Sequence, residues 1–442
     1  MTRRTRVVIA TGVAFGGVLF AAAALGPVSS PSSLATPVHA VGPGGVPARS
    51  GASLDETIDA LETRVSVVPG DHVAWATLAI AYVERARATV DPTWYPRAEA
   101  ALERAEQLGG DDQHLAAAAR SALAAARHDF PAAKVAAEHG LAINQHSAIL
   151  WGALGDAEVQ LGDYDAAFDA IQRMVDLAPD TASLARASYA WELRGDLPRA
   201  RALMQRALDD APTATDRAFA LVHLGGLWFD DGEPASALDS FNRALDAVPG
   251  DIAALAGKAR AEAALGQIET AVDHWYQVVD RAPEPGHLIE FARLLESLGR
   301  TDEAAAQWVV FDATQQLFAA NGVLPDAAAT LAEAERGRID DALAASAAGI
   351  RTRPFVDMYD ARAWVLHLAG RHDEAMVMIE EAMSLGGRTA RFHFHAGMIA
   401  LSLGDTERAV SELETALEIN PWFDPISAPQ ARGVLDEIGA GG

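Results

Sequence analysis

The sequence predicts an all-helical solenoid of antiparallel helix pairs, and three regularities carry that reading. Glycines recur at Gly162, Gly195, Gly232, Gly266, Gly299, Gly337, Gly370 and Gly404, spaced 33, 37, 34, 33, 38, 33 and 34 residues apart. Alanines keep step with them at Ala167, Ala200, Ala237, Ala271, Ala304, Ala342, Ala375 and Ala409. Prolines close most units, at Pro179, Pro212, Pro249, Pro283, Pro354 and Pro421. Glycine suits the left-handed position that ends one helix, and an Asp after it caps the next. Alanine fits where two helix backbones cross too closely for a larger side chain. A two-helix unit cannot bury its apolar faces alone, so it must stack on copies of itself.

Composition narrows the function classes. The 442 residues contain no cysteine, which excludes disulfides, thiolate nucleophiles and Cys-ligated metal sites. Residues 1–52 hold Arg3, Arg4, Arg6 and Arg49 and no acid; subtracting these four from 35 leaves 31 bases against 61 acids, or −30 for the remainder. Such a body is repelled by nucleic-acid phosphates and anionic lipid, so no nucleic-acid partner is expected.

Taken in order, residues 1–26 have the layout of an export signal: three arginines, then an uncharged run from Val7 to Leu25. That run lies between the ~7–15 apolar residues of a signal peptide and the ~20 of a membrane span. Both a cleaved signal and a retained tether through residues 7–25 fit. The protein is therefore expected outside the cytoplasm, periplasmic or secreted, or anchored at the envelope. Residues 27–52, rich in Pro, Ser and Gly, read as a flexible linker. Ser53-Leu54-Asp55-Glu56 fits a capping box, and Leu54, Ile58, Leu61 and Val65 follow at helical spacing. Residues 53–69 thus form an N-terminal cap helix, residues 70–421 the repeats, and residues 422–442 a C-terminal cap helix and tail.

The repeats resemble the tetratricopeptide (TPR) family. Its pattern of large, small and aromatic positions is matched by Leu221, Leu224, Gly225, Trp228, Ala237, Phe241 and Pro249. The unit from Ser147 keeps Trp151, Leu154, Gly155, Ala167 and Pro179 but puts Glu158 at the aromatic position. Weaker copies replace the first-helix glycine by Ser188, Ala259, Ala292, Thr330 or Ala363. Two copies precede Ser147, one with His128-Asp129-Phe130 at its turn and one with an insertion at residues 91–96. The copy at Gly299 lacks a closing proline, and Thr301 to Asn321 reads as one long helix where the array bends or changes pitch. The resemblance implies a right-handed superhelix of about ten repeats.

No catalytic arrangement is found: there is no HExxH, G-x-S-x-G or P-loop, and Asp163, Asp196 and Asp405 follow turn glycines as helix caps. The chain is expected to be a non-enzyme without a cofactor. His367, His372, His393 and His395 crowd together with Met358, Met376, Met378, Met383 and Met398. Imidazole and thioether suit copper or nickel, so His367, His395 and Met398 are alternative metal ligands. His393 and His395 lie two apart on a helix and cannot chelate as a pair.

The family resemblance implies a protein or peptide partner on the concave face lined by the first helices. Positions turned away from the Gly/Ala crossing include Tyr189, Phe229, Arg260, Arg293, Trp364, His367, Arg391, Phe394, His395 and Met398. Arg391, Phe394, His395 and Met398 fall at i, i+3, i+4 and i+7 and form one stripe; Asp357, Asp360, Trp364 and His367 form another. Aromatic and Arg patches are typical interface anchors. Some family members grip a peptide carboxylate with Lys and Asn at these positions. Here the only lysines are Lys134 and Lys258, so that clamp is not expected.

Overall fold

The computed structural model describes residues 54–109 and 113–441; the expected signal or tether, the linker and Ser53 of the capping box lie outside them. The described residues form twenty-two α-helices and no strand. Helix α1 (Leu54–Val67) precedes ten antiparallel pairs. Units one to five are α2 (His72–Thr89) with α3 (Tyr95–Leu108), α4 (His114–Ala126) with α5 (Phe130–Ile143), α6 (Ala148–Gln160) with α7 (Tyr164–Leu177), α8 (Thr181–Glu192) with α9 (Leu197–Asp209), and α10 (Ala214–Asp230) with α11 (Pro234–Ala247). Units six to ten are α12 (Ile252–Ala264) with α13 (Ile268–Arg281), α14 (Pro285–Ser297) with α15 (Thr301–Ala320), α16 (Ala327–Glu335) with α17 (Ile339–Thr352), α18 (Val356–Leu368) with α19 (His372–Ala382), and α20 (Ala390–Ser402) with α21 (Thr406–Ile419). Helix α22 (Ser427–Gly441) follows. None of the described helices is long and apolar enough to cross a membrane.

Local chemistry sets these boundaries. The eight turn glycines all have φ between +72° and +83°. Asp163, Asp196 and Asp405 accept the backbone N–H groups of Ala166, Arg199 and Arg408, as N-caps do. Each second helix turns its alanine onto the first helix, and Ala167, Ala200, Ala237 and Ala271 are wholly buried. Phe241 shows why small residues recur there, since a Cβ on Gly225 or on Gly257 of the next unit would lie 2.5 or 2.3 Å from its ring. The insertion in unit one forms a 3-10 turn, Pro92–Trp94, and Trp94 packs beside Tyr82 under Arg97, whose guanidinium lies 4.5 Å from the ring.

The array winds far enough to touch itself. His128 Nδ1 donates to the Leu324 carbonyl at 2.8 Å, and Arg353 Nε donates to Gln160 Oε1 at 2.8 Å. The Val356 N–H donates to Tyr164 Oη at 2.9 Å, and Asn420 Nδ2 to the Phe229 carbonyl at 2.8 Å. These partners lie 196, 193, 192 and 191 residues apart, an almost constant offset. In every case the turn inside an early unit meets the loop that enters a first helix six units later, or α22. Two superhelical turns therefore stack in register along a seam. Val159 and Leu193 of the first turn share one core with Val356 and Phe392 of the second. Helix α15, 20 residues long, extends the second turn until Phe318 and Val323 join the core of units one and two. At the turn of unit two, His128 replaces the glycine, takes φ +61° and gives its ring to the seam.

Candidate binding lumen

Stacking of the turns converts the concave face into a partly open lumen of about 600 Å³. First helices supply most of its wall: α8 gives Tyr189 and Glu192, α10 gives Phe229 and Asp230, α12 gives Arg260, and α14 gives Glu290 and Arg293. Glu335 of α16, Asp357 of α18, and Arg391 and His395 of α20 complete the ring, and Asp424 before α22 closes one side. The volume lies in the ~300–1,000 Å³ range of ligand sites.

Most lumen charges are already matched in fork geometry. Arg260 meets both Glu290 oxygens at 2.9 and 2.6 Å. Arg391 meets Asp360 at 2.9 Å and Asp357 at 2.6 Å. Arg293 meets both Asp424 oxygens at 2.8 Å and also pairs with Glu335. Burial works against the Asp424 carboxylate, but Arg293 and the Ser427 and Ile426 N–H groups hold its pKa down to about 2. Asp360 is fully buried, and His395 and Arg391 together keep its pKa below the usual carboxylate value.

Glu192 and Asp230 are different. Among the described residues neither side chain has a hydrogen bond or ion pair, and both stand at the C-terminal ends of their helices, where the helix dipole disfavours negative charge. Enclosure by protein, then the carboxylates of Asp230 and Asp357, push Glu192 up to about 8. Burial also raises Asp230, to about 6, although Arg260 and Arg391 oppose the shift. A carboxyl whose folded pKa exceeds its unfolded value favours the folded state while protonated, and that contribution is lost as pH rises through the folded pKa. Stability is therefore expected to fall as pH rises from about 4.5, the ordinary glutamate value, to about 8, and Glu192→Gln to flatten the part of that limb above about pH 6, where Asp230 has already ionised. Urea midpoints measured across this range check both statements; identical slopes for the two proteins would refute the assignment.

Of the residues named from sequence, Tyr189, Phe229, Arg260, Arg293, Arg391 and His395 line the lumen. Trp364, His367, Phe394 and Met398 do not; they form the layer behind it. Phe394 is 1% exposed, packed between Trp364 and Phe423 with ring centroids 5.7 Å from each. Trp364 stacks on His395 at 4.1 Å and His367 at 4.8 Å, and Met398 packs on the same core. His395 gives Nδ1 to Asp360 at 2.6 Å, and His367 lies with its Nδ1 3.2 Å from that of His372. Among the described residues no three His, Asp or Glu side chains converge as a metal site.

Sequence reasoning named Asp357 and Asp360 but not their pairing with Arg391, and it missed Glu192, Asp230, Glu290, Glu335 and Asp424. A signal for the pairs exists: Arg186–Asp156 and Arg260–Glu290 lie 30 residues apart, and Arg391–Asp360 lies 31 apart. Each joins first helices of consecutive units, so opposite charges roughly one repeat apart mark the ladder.

Comparison with known proteins agrees with this architecture. Tetratricopeptide repeat profiles match residues 153–215, 184–252 and 390–421, so the chain contains tetratricopeptide repeats. No curated protein matches it. Among solved structures, a tetratricopeptide repeat protein of Parabacteroides merdae is similar at 22% identity, over 58% of this chain and 97% of its own, with a TM-score of 0.34. Pseudomonas aeruginosa PilF is 16% identical over 47% of this chain and 98% of its own, with a TM-score of 0.38. The human IFIT1 dimer, solved with PPP-AAAA, is 13% identical over 83% of this chain and 86% of its own, with a TM-score of 0.45.

Proposed function

We propose that this chain is a non-catalytic scaffold of the cell envelope that binds a protein or peptide segment in its lumen. The observation that carries the reading is the convergence of seven successive first helices, α8 to α20, on one cavity walled by aromatics and mostly matched charges. A cavity with aromatic walls and a few fixed polar groups suits a side chain or short segment of a partner. The export-like residues 1–26 support the envelope location.

Filling the cavity tests this without removing a core contact. Ala263 and Ala328 line the lumen and are only partly buried. Affinity capture from envelope extract with the full chain should recover a partner that Ala263→Trp/Ala328→Trp loses, while circular dichroism stays unchanged. Equal capture by both folded proteins would place the binding face outside the lumen.

A second reading, a copper- or nickel-binding accessory protein, has one observation in its favour: the paired imidazoles of His367 and His372. Its expectation is metal retained through purification without a histidine tag and lost in His367→Ala; metal-free protein refutes it.

A further inference from the structure

The seam has one contact unlike the others. Arg353 is 2% exposed, with its guanidinium carbon 5.0 Å from the Phe130 ring and 4.8 Å from the Phe355 ring. Its Nε bonds Gln160, but Nη1 and Nη2 have no acceptor within reach and no access to water. Two aromatic faces and one amide oxygen do not replace the hydration of a cation. Burial accordingly pulls its pKa down to about 10, although the carboxylates of Asp326 and Asp357 oppose the shift. Elsewhere along the seam Asn420 Nδ2, the Val356 N–H and His128 Nδ1 each reach an oxygen across it, while Arg127 Nε is a second buried donor left without an acceptor.

The lumen behind this seam is bounded by residues of both turns and is only partly open, so parting the turns would widen the way in for a polypeptide segment. Parting the turns exposes Val159, Leu193 and Val356, which opposes opening. At the Arg353 level the same motion rehydrates a buried charge, which favours it. Opposed contributions at one place make a two-state element whose equilibrium a ligand can shift.

We propose that the two superhelical turns part reversibly along this seam, that opening starts at Arg353, and that the parted seam admits a partner to the lumen. The last clause rests on the lumen being the binding face; the first two do not. Arg353 here is a gating residue at the margin of the lumen. Its unmet N–H groups keep the closed form only marginally favoured.

The chain has no native cysteine, so Asp165→Cys and Arg351→Cys, exposed positions on facing sides of the seam, supply the only thiols of the full-length protein for spin labels. Electron–electron distance measurements on this labelled parent should show a short and a longer component. Adding Arg353→Met/Gln160→Leu, which replaces both members of the buried pair and leaves neither orphaned, should reduce the longer component at least threefold. Adding Gly162→Asn should raise it at least threefold, because a Cβ there would lie 2.5 Å from the Pro354 carbonyl oxygen. Gly266→Asn has the same positive φ with open space around it and should change nothing. Circular dichroism confirms folding, and if Gly162→Asn does not fold, the Met/Leu arm decides alone. A single distance common to all variants overturns the gate, as does a longer component that grows in the Met/Leu protein. No partner is needed for this readout, so its failure is distinct from failure of the lumen as binding face.

Discussion

Gly195→Asn should destabilise the closed superhelix by about 1–3 kcal/mol, the usual range for forced overpacking, while Gly299→Asn should be close to neutral. The two glycines are locally equivalent: φ is +74° and +72°, and both end a first helix. Asparagine enters the left-handed region more readily than other side chains, so the local cost is similar at both sites. Their surroundings differ. A Cβ on Gly195 would lie 2.6 Å from the Gly386 carbonyl oxygen, across the seam, whereas Gly299 has nothing within 4 Å. A backbone oxygen cannot swing aside as a side chain does, so one turn must shift. Chemical denaturation of the two variants beside the parent checks the contrast. Equal effects would mean that the turns do not touch.

The second large effect is expected at Phe394. Its ring is 1% exposed and joins Trp364, Phe423 and Leu413 in one cluster, so Phe394→Ala should cost about 3–5 kcal/mol. The cost arises from lost transfer energy and from a cavity that α18, α20 and the α22 end can only partly fill. Because the ring backs the lumen, the effect should appear first in the unfolding midpoint. Denaturation of Phe394→Leu, which keeps most of the volume, should show a much smaller loss. A Phe394→Ala protein as stable as the parent would contradict the packing described.

The legibility of this chain divides along the range of the interactions. Turn glycines, capping aspartates and crossing alanines are local, and their spacing exposes the helix pairs before any coordinates. The length of α15 was likewise visible, because no proline or glycine interrupts Thr301 to Asn321. What the spacing could not show is how far the array curves. Curvature accumulates from small rotations between units, and only the sum decides whether residue 160 meets residue 353. That sum also decides which stripe residues remain accessible. Trp364 shares α18 with Asp357, and Phe394 shares α20 with Arg391, yet the close approach of α18, α20 and the α22 end buries both rings and leaves Asp357 and Arg391 on the wall. Glu192 was invisible for the same reason: a carboxylate at a helix end looks like solvent-facing charge until the second turn encloses it.

A double-mutant cycle between Gln160 and Arg353 tests the central claim, that the array closes on itself around a lumen. The two residues are 193 apart in sequence and touch only if the turns stack. Gln160→Leu and Arg353→Met, separately and together, give four unfolding free energies. Closure predicts a coupling of about 1 kcal/mol or more, with the double variant more stable than the sum of the single effects allows. Additivity within about 0.5 kcal/mol, the behaviour of distant sites, would mean an open array whose turns do not meet around a lumen.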